Sequence, residues 1–250
     1  MEERMQEAMV TREIFKISIG SFSIAVTESM ITMWIVMIAL IVLAYILSRN
    51  LKVIPGKKQS LVEMAIEFIG DMCKKTMGHY WKYFVPYIGM LAMFLILSNM
   101  ISVFNIIPTS RDLYRLTHIE FFNKIPIYSM TPPTRDINVT AGCAMMTIVT
   151  IIFSTIYFKG FRGWLKTLCK PVAIMLPINI LELAIKPLSL CLRLYGNILG
   201  AFIAMEITYS LLPIIVPIVM SAYFDLFDGA LQAYIFVFLS TIYIGDALED

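Results

Sequence analysis

Five long apolar runs constrain this chain more than any other feature. About 20 apolar residues cross the roughly 30 Å hydrocarbon core of a bilayer as a helix. In that medium a helix satisfies its own backbone polar groups, which a loop cannot do. The first run is 30-MITMWIVMIALIVLAYILS-48, closed by Arg49 and Asn50. The second is 83-YFVPYIGMLAMFLILSNMISVFNIIP-108 and the third 138-NVTAGCAMMTIVTIIFSTIYF-158. From Pro171 onward the chain is almost continuously apolar, and Pro213 and Pro217 divide it. Proline lacks the N–H that a helix interior needs, so a long helix near 174–211 and another near 217–245 are predicted. The expected fold is an all-α membrane protein with five transmembrane helices, the last two forming a long hairpin. Residues 1–29 then form an N-terminal segment, and 30–250 a single integral membrane domain.

Composition agrees. Hydrophobic residues make up 59% of the chain and charged ones 15%, against about 45–50% and 25% in soluble domains. A net charge of +2 gives no footprint for nucleic acid. The four cysteines, Cys73, Cys143, Cys169 and Cys191, are scattered and form no Cys-x-x-Cys pair. They suit packing better than a metal site or a disulfide framework. His79 and His118 both flank the spans, so a proton relay inside the membrane would have to use carboxylates. No metal or cofactor is expected. A glycine-rich phosphate loop is lacking, and no covalent chemistry is assigned to the chain alone. The first 30 residues carry five acids and three bases, the wrong arrangement for a cleavable signal. Within them only Phe22, Ile24 and Val26 alternate in a strand-like way.

Between the first two spans, 59-QSLVEMAIEFIGDMCKKTMGHYWKYF-84 places Leu61, Val62, Ala65, Ile66, Ile69 and Met72 at helical spacing. Glu63, Glu67, Asp71 and Lys74 fall on the other side. This pattern predicts an amphipathic helix on the membrane surface, in contact with lipid, and 160-GFRGWLKTLCK-170 is a second candidate. Segment 49–82 holds seven Lys and Arg, and 159–170 holds four. Dense basic loops face the cytoplasm, which puts the N-terminus outside and the C-terminus inside.

Those loops, with three more in residues 1–29 and four in 109–137, account for 18 of the 20 basic residues; Lys186 and Arg193 remain, both on the fourth span. Lys186 follows Glu182 by four residues and can pair with it along one helix face. Arg193 has no such neighbour: position 189 is Ser, 190 Leu, 196 Gly and 197 Asn. A guanidinium cannot shed its proton, and at the centre of a bilayer it costs at least about 2.5–3.5 kcal/mol. Two partners are open to it. One is a carboxylate of this chain, Asp225 or Asp228; the other is an acid on another subunit that is charged only part of the time.

The string 179-NILELAIKPLSLCLRLYGN-197, followed by 231-LQAYIFVFLSTIYI-244, resembles subunit a of the F-type ATP synthases. The phrase 131-TPPTRDINVTAG-142 is similar to that family's approach to its third span. The resemblance implies an ion-translocating stator subunit, with the last two helices strongly tilted against a rotating ring of c subunits. Peripheral-stalk b subunits and the rest of the complex are the other implied partners. Arg193 matches the family's essential arginine, which offers a fixed positive charge to each ring carboxylate that has lost its ion. The compensating anion would then come from the rotor, and the same charge would block leakage between two aqueous half-channels. Gln232 matches the family's glutamine on the last span and is expected to face Arg193, accepting its hydrogen bonds without neutralising it. Asn197, one turn along, is expected on the same face.

The remaining acids sort by depth. Glu206 lies about 20 Å past Arg193 on the fourth span, and Glu182 about 16 Å before it, at about 1.5 Å per residue. Asp225 and Asp228 precede Gln232 on the returning helix. Glu206, Asp225 and Asp228 are therefore assigned to an outer path and Glu182 to an inner one. One position departs from the family: nine residues after the arginine, where many members carry an acid or histidine, this chain has Phe202. Glu206, one turn further on the same face, is expected to substitute for it together with Asp225. The expected coupling ion is H+, with Na+ also compatible, and the expected location is a bacterial plasma membrane. A secondary transporter is the rival reading. Such folds are built from paired repeats, and here the charged centre lies only on the last hairpin.

Overall fold

The computed structural model describes residues 13–19, 22–49, 51–101, 132–169, 174, 176–211, 216, 219–220 and 222–248. Two short strands open the described chain, β1 (Glu13–Ile19) and β2 (Phe22–Thr27), paired antiparallel with Ile17 opposite Ile24. β2 carries the Phe22, Ile24, Val26 alternation, so a small hairpin is added to the all-helical expectation. Among the described residues six α-helices follow: α1 (Glu28–Ser48), α2 (Lys57–Met77), α3 (Trp81–Met100), α4 (Ile137–Leu168), α5 (Leu176–Leu211) and α6 (Gly229–Leu248). A single 3-10 turn, Gly78–Tyr80, joins α2 to α3, and another, Pro133–Arg135, leads into α4.

Five stretches are long and apolar enough to cross a membrane: Glu28–Ser48, Lys57–Met100, Ile137–Leu165, Leu176–Met205 and Leu226–Leu248. The expected five spans are thus present. The tail of the second run (102–108) and the break at Pro213 and Pro217 lie outside the described residues.

Local chemistry explains the departures from straight helix. Gly160 adopts φ 72° inside α4, a conformation that a side chain at Cβ disfavours. The chain turns there, and 161–168 becomes a helical segment distinct from the apolar span. Pro86 and Pro187 sit inside α3 and α5, each removing one backbone donor without ending its helix. Ala222–Asp228, just before α6, is wound as a π-helix, a rare form that is frequent at functional sites.

By its contacts the chain forms two compact units: Met1–Ala39 with Phe94–Asp136 and Tyr195–Gln232, and Leu40–Met93 with Ile137–Leu194 and Ala233–Asp250. The first unit has Val26, Ser29, Thr32 and Val36 buried at the β2–α1 junction, with Asn99, Thr134 and Asp136 buried where α3 ends and α4 is about to begin. In the second unit, Ile88, Leu91, Ile151, Leu190, Leu194, Phe236 and Ile244 are among the buried apolar residues. Buried hydroxyls run through both, and most bond back to their own helix: Thr147 to the Cys143 carbonyl, Thr155 to Ile151, Ser240 to Phe236. Small polar residues of this kind let membrane helices approach closely where no hydrophobic force drives them together. At one end of the second unit Phe158 gathers Tyr80, Tyr83 and Tyr157, with ring centroids 4.6–5.4 Å apart. Lys159 and Gly160 follow Phe158 directly in the sequence, which is the pattern of an aromatic belt at a membrane boundary. Large apolar side chains are exposed along the spans, among them Ile38, Ile41, Tyr45 and Ile46 on α1 and Phe153 and Tyr157 on α4. Water would not tolerate so broad an apolar surface; lipid does.

Candidate functional site on the last two helices

α5 and α6 run antiparallel: Lys186 meets Asp246 in the second unit, and Asn197 meets Asp228 in the first. The predicted hairpin therefore exists as a helix pair.

Lys186 reaches Glu182 at 3.0 Å, one turn back on its own helix, as the four-residue spacing predicted. It also lies 3.9 Å from Asp246 and 5.2 Å above the Tyr243 ring. Glu182 is thus half of an ion pair, and Asp246, which the sequence reading did not single out, is a second acid on the same lysine. Both carboxylates are exposed, so each contact is weak on its own.

Arg193 is exposed on α5, between exposed Leu192 and buried Leu194. No ion pair or hydrogen bond joins it to any of the described residues. Of the two acids of this chain offered as its partner, Asp228 is engaged elsewhere. The Asn197 side-chain N–H donates to the Asp228 carboxylate in a close hydrogen bond. Asp225 belongs to the π-helical stretch, but its side chain, like that of Glu206, lies outside the described residues.

Gln232 is 5% exposed, and its side-chain Nε2 has no hydrogen-bond partner among the described residues. A buried amide donor left unmade costs roughly 1–3 kcal/mol. Such a group calls for an explanation in ligand, water or function. Gln232 falls in the first unit and Arg193 in the second.

Sequence reasoning passed over a polar cluster of the first unit. Thr134 donates its hydroxyl to the Asn99 side-chain oxygen at 2.7 Å, and Asn99 donates through Nδ2 to the Gly229 carbonyl at 2.9 Å. The Arg135 guanidinium lies 3.7 Å from the centre of the Phe202 ring. Burial pulls the Arg135 pKa below its usual value, while Glu28 and Tyr195 pull it back up. The available signals were Asn99, a polar residue in an apolar run, and Phe202, already noted as the departure from the family pattern. Arg135, in the phrase 131-TPPTRDINVTAG-142, carries no such signal of its own.

Comparison with known proteins gives a consistent result. The family model described as ATP synthase A chain matches residues 30–245. The chain is 32% identical over 235 residues to "ATP synthase subunit a, sodium ion specific" of Propionigenium modestum, covering 92% of this chain and 77% of that protein. A match spanning all five apolar helices, together with identity at that level over nearly the whole length, shows that this chain belongs to the ATP synthase A chain family.

Proposed function

We propose that this subunit forms the ion path of a rotary ATP synthase, with Arg193 as the fixed charge that meets the carboxylates of a c-subunit ring. Membership of the family makes the chain an integral membrane, non-catalytic subunit of ATP synthase with an ion-translocating role. The observation that carries the finer reading is Arg193 itself. It is exposed on a membrane helix, and it has no acid among the described residues to neutralise it. An anion from outside the chain fits that state, because at low effective dielectric an opposite charge attracts a guanidinium by several kcal/mol at about 4 Å. The attraction has to be transient, so the anion is one of a moving series.

Gln232, buried with a free amide donor, suits the role of a neutral neighbour to that arginine. Asn197 and Asp228 already form one polar pair, which we assign with Glu206 and Asp225 to a path on the outer side. Glu182, held by Lys186, belongs to the inner side. The basic segments 49–82 and 159–170 face the cytoplasm in this arrangement, with the N-terminus outside and the last two helices tilted against the ring. Bacterial plasma membrane remains the assigned location, and the b subunits of the peripheral stalk the other membrane partner.

The test is ATP-driven ion uptake into inverted membrane vesicles. Arg193→Ala is expected to abolish uptake while the complex still assembles; unimpaired uptake would refute the assignment. The sodium-specific relative makes Na+ the first alternative to H+. A protonophore collapses uptake driven through protons and spares uptake of Na+, so one measurement with and without Na+ identifies the ion.

A further inference from the structure

We infer that the short turn Pro132–Asp136 positions the ion path, by holding both helices of the hairpin at once. Its backbone is closed by N–H donation from Arg135 to the Pro132 carbonyl and from Asp136 to the Pro133 carbonyl, at 3.0 and 3.1 Å. From this rigid base two adjacent side chains reach in different directions. Thr134, fully buried, acts through Asn99 on the Gly229 carbonyl. Gly229 is the first residue of α6, next to Asp228 and three residues before Gln232. Arg135 holds its guanidinium carbon 3.7 Å from the centre of the Phe202 ring on α5, five residues after Asn197. One turn thus fixes the start of α6 and the C-terminal half of α5, and the Asn197–Asp228 hydrogen bond joins residues five positions before Phe202 and one before Gly229. All of these residues belong to the first unit.

The two attachments differ in kind, and each is suited to its task. The hydroxyl–amide–carbonyl chain is directional, so it sets where α6 begins to the accuracy of a hydrogen bond. Thr134 and Asn99 are both buried, so neither bond can be exchanged for one to water. The guanidinium on an aromatic face is flat and tolerant of sliding. It holds α5 at a fixed distance and does not dictate rotation to the degree. Thr134, Arg135 and Phe202 are therefore positioning residues: they touch no ion, and they act through Asn197, Asp228 and Gln232. Phe202 in this reading is a seat for Arg135, standing where many members of the family have a titratable group.

The inference rests on the ion-path reading above, and the experiment separates the two. In inverted vesicles carrying the whole complex, uptake is measured per assembled complex at a series of coupling-ion concentrations. Thr134→Val and Phe202→Leu are each expected to lower the maximal rate about tenfold or more, as small misplacements of reacting groups do. The half-saturating ion concentration stays unchanged, because no ligand of the ion is lost. Thr134→Ser, which keeps the hydroxyl, and Phe202→Tyr, which keeps the ring, restore the rate. If Thr134→Val does not assemble, Arg135→Lys, which keeps the charge and loses the flat stack, takes its place. Normal maximal rates in both disruptive variants would overturn the inference, and so would a loss that the conservative variants fail to rescue. Arg193→Ala is run alongside. If it pumps normally, the ion-path reading falls; if it is inactive while Thr134→Val and Phe202→Leu are normal, only the positioning role falls.

Discussion

At the residue scale, the Asn197–Asp228 pair separates charge from hydrogen bonding. A hydrogen bond to a charged group is worth roughly 1.5–3 kcal/mol. Asn197→Leu should therefore leave Asp228 without its described partner and lower ion uptake with little change in assembly. Asp228→Asn keeps a side chain that can accept from Asn197 and removes the negative charge. If Asp228 draws cations toward the path, that variant should raise the half-saturating ion concentration, read in the same uptake assay; an unchanged value would leave the aspartate a structural role. Gly245 gives a contrasting case. A Cβ there would stand 2.4 Å from the Thr76 carbonyl oxygen at the end of α2, a backbone atom that cannot swing away. Gly245→Ala is expected to reduce the amount of folded subunit in the membrane, measured by immunoblot, and not its specific rate.

At the element scale, α4 is an apolar span and a second helical segment, 161–168, joined at one residue. Gly160 holds φ 72° with ψ 165°, a region essentially reserved for glycine, where a residue with a Cβ costs on the order of 1–3 kcal/mol. Gly160→Val should lower the thermal midpoint of the purified complex. Gly142→Ala, in the same helix with nothing near its Cβ position, should leave it alone. The elements themselves were legible in the sequence because membrane helices announce themselves by length and apolarity, properties summed over 20 residues. α1 begins two residues before its predicted start, and the Lys186–Glu182 pair followed from spacing alone. What a local pattern cannot report is contact across sequence. Thr134 to Asn99 to Gly229 joins three segments far apart in the chain, and no periodicity in any one of them records the other two. The π-helical stretch was equally silent, since 222-AYFDLFD-228 reads as ordinary helix. Arg193 stands out from sequence because a charged residue among apolar ones is conspicuous, and Gln232 only through the family resemblance; Arg135 sits among other loop charges and does not.

At the scale of the whole molecule, two statements can be checked without any structure. The first concerns sidedness. Ile54, in the basic linker between α1 and α2, is 85% exposed. A cysteine placed there should react with an impermeant thiol reagent in inverted vesicles and be protected in intact cells; the opposite pattern would reverse the assigned orientation. The second concerns the outer carboxylates. Replacing Glu206 and Asp225 singly should each slow ATP-driven uptake in part, and replacing both should nearly stop it. Full uptake in the double variant would remove these two from the path and leave Asp228 of the three acids assigned to it.

The first transmembrane helix carries one more consequence. Ser29, Thr32 and Val36 are its buried residues, all in its first half, while Trp34, Ile38, Ile41, Val42, Tyr45 and Ile46 stand exposed. Most of its circumference is therefore surface left open by the described residues, to be completed by acyl chains or by a neighbouring protein. A preparation stripped of bound phospholipid should lose this segment to proteases before any other span, and a native lipid shell should be enough to protect it.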